Sequence, residues 1–233
     1  MRVPILTLHA VLPLEEGEQV RGVVPLARFR EQVEWLCSRG YRALALDRAL
    51  DLLEGRGAPV RRPVVLTFDD GYRSVIEHAL PVLVEAGLTA TLFVVTGRVG
   101  ATSDWYVHKG GRRLEHAGWD DLERALRLGF EIGSHGVEHR AIPGLSPAEA
   151  ESELGRSREE LIGRLGGCDH FAYPFGACTP AARSAVRKAG YRSACTTRPG
   201  INRRGQSLLA LRRQNVSRTT TLARFRRRVR AWH

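Results

Sequence analysis

The sequence predicts an α/β fold built on parallel strands, and three observations carry that expectation. Apolar runs of strand length alternate with amphipathic helical patterns along all 233 residues, with no internal repeat. Strict alternation implies parallel strands joined by right-handed crossovers. The run Pro63–Phe68 is apolar at nearly every position, as in a strand covered on both faces. No stretch approaches the ~20 apolar residues of a membrane span. The length suits one domain over residues 1–233, either a (β/α) barrel or an open doubly wound sheet. No G-x-G-x-x-G follows the first apolar run, which weakens a dinucleotide-binding version of the open sheet.

Val3–Leu8 reads as the first strand. Leu26–Arg39 reads as a helix with Pro25 near its start and Gly40 at its end, a proline-in, glycine-out pattern. Arg42–Leu46 is a short strand, and a helix with Asp47 as its N-cap runs from there to Gly55. After Pro63–Phe68, a helix around Ser74–Ala86 stops at Gly87, and Ala90–Val95 is the next strand. Trp119–Leu128 is a helix closed by Gly129, followed by a strand at Phe130–Gly133. Ser146-Pro147-Ala148-Glu149 is a capping box with proline at the first helical position, so a long helix starts there. Phe171–Tyr173 is a strand, and Thr179-Pro180 opens a helix that Gly190 ends. Arg192–Thr196 and Leu208–Leu211 are the last strand candidates, before a helix at Thr221–Trp232. Arg56–Arg62 and Gly97–Gly118 read as loops. The second is long and carries Trp105, Tyr106 and His108, and long loops in compact domains tend to be functional.

The net charge is +11, which invites a nucleic-acid or anionic-surface reading. The arginines are spread along the chain and no nucleic-acid motif accompanies them, so no nucleic-acid partner is expected. The one dense run, Arg224 to Arg230, is a solvated helix face or a peripheral contact for an anionic surface. Cys37, Cys168, Cys178 and Cys195 form no C-x-x-C pair and read as free, mostly buried thiols. The first residues lack the ordered basic, apolar and small-residue regions of a signal peptide, which gives a cytoplasmic expectation.

Four groups of residues carry chemistry, and all follow predicted strand ends. Asp69 and Asp70 lie in Thr67-Phe68-Asp69-Asp70-Gly71-Tyr72. Adjacent carboxylates beside a buried strand are costly unless compensated. Extended backbone would aim them oppositely, one toward a cation and one toward the cavity. A helix N-cap is the structural alternative. His135 and His139 lie in Ser134-His135-Gly136-Val137-Glu138-His139, and imidazoles four apart converge on one metal if that segment turns helically. Asp70, His135 and His139 together offer three ligands and leave a position for water, as in catalytic rather than structural sites. Phe171-Ala172-Tyr173-Pro174-Phe175-Gly176 makes a sharp turn that can aim a backbone N–H at an oxyanion. His9 ends the first strand. C-terminal strand ends share one face of a parallel barrel, so these groups would meet there.

These motifs resemble the polysaccharide deacetylase family, the NodB-homology carbohydrate esterases of family 4. T-F-D-D-G is unbroken at Thr67–Gly71, H-[ST]-x-x-H corresponds to His135 and His139 with Gly136 in its second place, and R-x-P-[YW] corresponds to Ala172-Tyr173-Pro174-Phe175. The usual late L-x-H motif has no match after Phe175. His9 in Ile5-Leu6-Thr7-Leu8-His9 instead resembles the circularly permuted poly-N-acetylglucosamine deacetylase subgroup, where that histidine lies near the N-terminus. The resemblance implies a NodB-type distorted (β/α) barrel of about seven to eight parallel strands. It also implies a metal-dependent N-deacetylase acting on an N-acetylated sugar. Asp69 would be the base, and Asp70, His135 and His139 would bind Zn2+ or another first-row divalent ion. The Phe175 N–H would meet the oxyanion, and His9 would be the acid. The family arginine that orients the base is replaced by Ala172, and Arg213 is the candidate to take its place. The alternatives are a hydrolase of a non-sugar amide, a glycan-binding domain without catalysis, and a basic nucleic-acid-binding module.

Overall fold

The computed structural model describes residues 2–15, 18, 20–103, 105 and 112–230. Among them, eight parallel strands form the central sheet: β1 (Ile5–Leu8), β2 (Arg42–Ala43), β3 (Pro63–Phe68), β4 (Thr91–Val94), β5 (Glu131–Ser134), β6 (His170–Ala172), β7 (Ser193–Cys195) and β8 (Gln214–Asn215). The α-helices are α1 (Leu26–Ser38), α2 (Leu46–Glu54), α3 (Leu80–Glu85), α4 (Trp119–Arg127), α5 (Pro147–Leu165), α6 (Pro180–Lys188) and α7 (Leu222–Arg230). The strand order is β7-β6-β5-β4-β3-β1-β8, with β2 beside the first residues of β3. The sheet curls until its edges meet through one segment. Leu211 N–H donates to Ala194 C=O (2.9 Å) on the β7 side, and Val216 N–H donates to Thr7 C=O (2.8 Å) on the β1 side. This is a distorted barrel, and the open doubly wound alternative falls away.

Side-chain alternation along the strands separates two cores. Leu6, Leu8, Val64, Leu66, Phe68, Leu92, Val94 and Phe171 point outward and pack beneath the helices. Ile5, Val65, Phe93, Ala172 and Cys195 point inward. At the ends of β1 and β3 the inward positions turn polar: Thr7, Thr67 and then Asp69, all buried. The floor of the barrel is sealed by α2, whose Leu46, Ala49, Leu50 and Leu53 join the interior cluster. Along β1 and β3 the interior thus turns from apolar at the strand starts to polar at their C-terminal ends, whereas the starts of β4 to β7 carry a separate polar network of Thr91, Glu131, His170 and Ser193.

Several local expectations change. Pro4 breaks the predicted strand Val3–Leu8, since it has no N–H for a ladder; Arg2–Val3 pairs antiparallel with Asn202–Arg203. Asp47 is not an N-cap. Helix α2 starts at Leu46 without a side-chain cap of its own. Glu131 at the start of β5 accepts from Leu46 N–H (2.9 Å) and Asp47 N–H (3.1 Å) instead. The predicted Ser74–Ala86 helix opens with a π-helical stretch at Val75–Ala79 before α3; Pro81 supplies no donor to the turn before it. Leu208–Leu211 is mainly a 3-10 turn at Leu208–Ala210, and the last strand is Gln214–Asn215. The capping box of α5 forms, with Ser146 N–H on Glu149 Oε2 at 2.9 Å. Cys37 is exposed, whereas Cys168 and Cys195 are buried. Tyr106 and His108 lie outside the described residues, as do residues 231–233 of the predicted last helix. Among the described residues, no helix is long and apolar enough to cross a membrane.

Glu131 also accepts from Thr91 Oγ1 (2.6 Å) and lies 3.3 Å from His170 Nε2. Replacing it by alanine strips the α2 N-terminus of its acceptor, and the expected loss is about 2 kcal/mol, measured as a lower urea midpoint at unchanged m-value.

Candidate active site

The two aspartates part company because the backbone leaves the extended region between them. Asp69 N–H still donates to Leu8 C=O at 2.9 Å, continuing the β1–β3 ladder, so its side chain keeps the inward parity of Thr67. Asp70 has φ +71°, and its carboxylate turns toward the histidines instead.

Inside the barrel, Asp69 meets Arg213. Its Oδ1 and Oδ2 accept from the two guanidinium nitrogens at 2.7 and 2.6 Å. Arg213 also donates to Thr67 Oγ1 at 3.0 Å and, through Nε, to Thr196 C=O at 2.9 Å. The guanidinium therefore has four acceptors and lies wholly buried. It enters from the segment that closes the barrel, just before β8, whereas Ala172 comes from β6. Burial alone would raise the Asp69 pKa, but Arg213, with help from His135, holds it well below the usual carboxylate range.

The metal-ligand spacing is met, though by a different backbone from the one expected. Residues 135–139 form no helical turn. Gly136 at φ +85° and His139 at φ +59° fold the loop so that both imidazoles reach Asp70. Gly136 suits this place because a side chain there would strain the backbone and crowd Glu153 Oε1 (2.6 Å from an ideal Cβ). His135 Nδ1 donates to Ala172 C=O at 2.7 Å, which leaves Nε2 as the free lone pair. The Nε2 atoms of His135 and His139 lie 3.5 and 3.6 Å from Asp70 Oδ1. All three candidate ligand atoms lie within 4.8 Å of one another. Ligands about 2.0–2.1 Å from a tetrahedral zinc would be about 3.3 Å apart, so this N, N, O set fits a divalent ion. Burial pushes both histidines down to about 4, with Asp69 opposing it at His135 and the His135 charge adding to it at His139. Both rings are therefore neutral, the ligand form, at neutral pH.

Around this centre stand the remaining candidates. His9 follows β1 directly and is half-buried. The β1–β3 pairing of Leu8 with Phe68 sets it at the same strand ends as Asp69. Phe175 has φ +59° and a side chain 70% exposed. Its ring centroid lies 4.6 Å from that of His139. On His139, Trp105 stacks at 4.5 Å and 18°. Of the four non-glycine residues with positive φ among those described, Asp70, His139 and Phe175 all belong to this site. Such strain concentrates at functional sites.

Sequence reading missed Thr7, Thr67 and Thr196 around the Asp69–Arg213 pair. Their signal was parity: Thr67 and Asp69 are two apart on one strand, so a polar residue at an inward position announced a polar interior. It also missed His116, whose Nδ1 lies 2.9 Å from Asp70 C=O; nothing local in the sequence ties these residues together.

Replacing Arg213 by methionine leaves Asp69 buried and unpaired, with an expected loss of about 3–5 kcal/mol; the double change with Asp69→Asn recovers most of it in urea unfolding. Acid exposes the histidines differently. They stay neutral in the fold to about pH 4 but take protons near 6.5 when unfolded. The thermal midpoint of metal-free protein therefore falls as pH drops from about 6.5 toward 4, and His139→Ala flattens that fall.

Comparison with known proteins places the chain. The family model described as polysaccharide deacetylase matches residues 56–194. The Bacillus subtilis (strain 168) protein YxkH, itself named for this family, is 30% identical over 221 residues, covering 93% of this chain and 72% of its own. Poly-beta-1,6-N-acetyl-D-glucosamine N-deacetylase of Staphylococcus aureus is 25% identical over 177 residues, or 72% of this chain, and the match spans 58% of that enzyme. The structure of IcaB from Ammonifex degensii superposes with a TM-score of 0.83 at 25% identity, covering 98% of this chain and 97% of that one. On both its sequence and its NodB-type barrel, the chain belongs to the polysaccharide deacetylase family.

Proposed function

We propose that this chain is a metal-dependent N-deacetylase that hydrolyses the acetamide of an N-acetylated sugar and releases acetate. Family membership supports N-deacetylation of sugar polymers by hydrolysis of a carbon–nitrogen bond. The observation that carries the finer reading is the convergence of Asp70, His135 and His139 within 4.8 Å, beside a carboxylate that is held in place and ionised. The substrate is an N-acetylglucosamine-containing glycan, glycoside or carrier-linked sugar.

Asp70, His135 and His139 would hold a divalent ion such as Zn2+, which would supply Lewis-acid activation of the water and of the acetyl carbonyl. Asp69 accepts the proton that water releases as its oxygen attacks the carbonyl carbon. Arg213 fixes the direction from which Asp69 accepts it. The Phe175 N–H donates to the oxygen that gains negative charge. As the C–N bond breaks, His9 gives a proton to the nitrogen, because an amide leaves poorly as an anion. Trp105 and Phe175 flank His139 and restrict its ring to one orientation.

Acetate release should be detectable from at least one member of a panel of N-acetylated sugars and oligosaccharides. It should be lost with a chelator and restored by Zn2+. No chelator-sensitive acetate from any of them would overturn the proposal. Asp69→Asn is expected to keep the bound metal, measured by elemental analysis, and to lose about 10²–10⁴-fold in turnover. His9→Ala is expected to slow amide hydrolysis by a similar factor. It should spare an activated aryl acetate, whose leaving group needs no proton.

A further inference from the structure

We propose that His116 is a positioning residue for Asp70, fixing that ligand's strained backbone through the hydrogen bond from Nδ1–H to the Asp70 carbonyl. The inference rests on the metal-site reading above. Asp70 has φ +71°, a conformation unfavourable for a residue with a Cβ. From that backbone its carboxylate reaches His135 and His139 at 3.5 and 3.6 Å. Something must therefore hold the turn.

The segment ending at Ala117 is laid along it. His116 bridges Tyr72 in antiparallel register, and Ala117 N–H donates to Gly71 C=O at 2.9 Å. His116 N–H donates to Ala101 C=O at 2.8 Å, and Gly100 N–H donates to Ala117 C=O at 3.0 Å. This ties the segment back to the loop after β4. From that framework the His116 ring reaches Asp70 C=O at 2.9 Å. It stacks on Tyr72 with centroids 5.1 Å apart and meets the edge of Trp105 at 5.4 Å.

The ring's two nitrogens tell why a histidine stands here. A carbonyl only accepts, so Nδ1 carries the hydrogen and Nε2 is a bare acceptor. Nε2 is buried and has no partner among the described residues. An apolar side chain of similar size would fill this place without an orphaned polar atom. The histidine is therefore a poor choice for packing alone. What it supplies is one donor, aimed at the carbonyl of a metal-ligand candidate. Trp105 touches both His116 and His139, so the same ring backs a second ligand candidate.

Two variants separate the donor from the packing. His116→Leu removes the N–H and keeps the volume; His116→Asn keeps a donor at the same reach. Each protein, freed of metal, is titrated with Co2+ and followed by the visible absorption of the bound ion, with thermal melting of the metal-free form alongside. Wild type is expected to bind with an intense band of a low-coordinate N/O site. His116→Leu is expected to bind about 10–100-fold more weakly with a shifted band, while its metal-free melting temperature stays level or rises. His116→Asn should restore affinity and band to near wild type. Equal affinity in wild type and His116→Leu would overturn the positioning role, as would equal weakening in both variants. Failure of wild type itself to bind would overturn the metal-site reading and this inference with it; failure confined to the comparison of variants leaves that reading standing.

Discussion

The pair between Asp69 and Arg213 is the constraint on which the rest of the site depends. Two opposite charges sit buried inside the barrel, and removing them from water carries a large cost. Coulombic attraction at 2.6–2.7 Å offsets part of it, and the threonine and backbone acceptors around the guanidinium offset more. The arrangement works only if Arg213 arrives from the segment that joins β7 to β1. The same residues that close the barrel therefore deliver the partner of Asp69. A slip of that segment by one residue would turn Arg213 away from the interior and leave Asp69 charged and alone.

Around this rigid pair the protein stores local strain. Asp70, His139 and Phe175 all adopt left-handed backbone, and each would relax if its loop were free. The Phe175 turn is held by its own Gly176 N–H to Tyr173 C=O bond (2.8 Å), and the other two also by bonds to neighbouring loops. Thr96 N–H and Gly97 N–H donate to Gly136 and Val137 carbonyls at 3.0 Å, locking the histidine loop to the end of β4. Ala117 does the same for the turn after Asp70. Cross-bracing of this kind lets candidate ligands lie on loops while keeping the precision of strands.

The opposite end of the barrel is closed by packing and a polar network. Helix α2 closes the floor with its apolar face, and Glu131 anchors its N-terminus from a neighbouring strand. His170 extends that network to Ser193, with Nδ1 and Oγ 2.9 Å apart. The candidate site at the C-terminal strand ends and the polar contacts at the N-terminal ends match the division expected of parallel barrels.

Much of this was legible in the amino-acid sequence. Apolar periodicity determined the strands and helices and their parallel arrangement, because both follow from local geometry and short connections. The Asp-Asp and His-x-x-x-His motifs marked the candidate metal site, because few arrangements place those side chains at strand ends without use. Elements that depend on distant partners were not legible. Glu131 caps a helix 84 residues away, so Asp47, next to the helix start, was the natural but wrong choice. The route by which His135 and His139 converge is a left-handed loop, not a helical turn, since neighbouring loops bear the strain that local propensity would forbid. The bond between Arg213 and Asp69 spans 144 residues, and the bond from His116 to Asp70 lies between two loops. Closure of the barrel alone brings such partners together, and so the tertiary structure decided what surrounds the two motifs that the sequence had already marked.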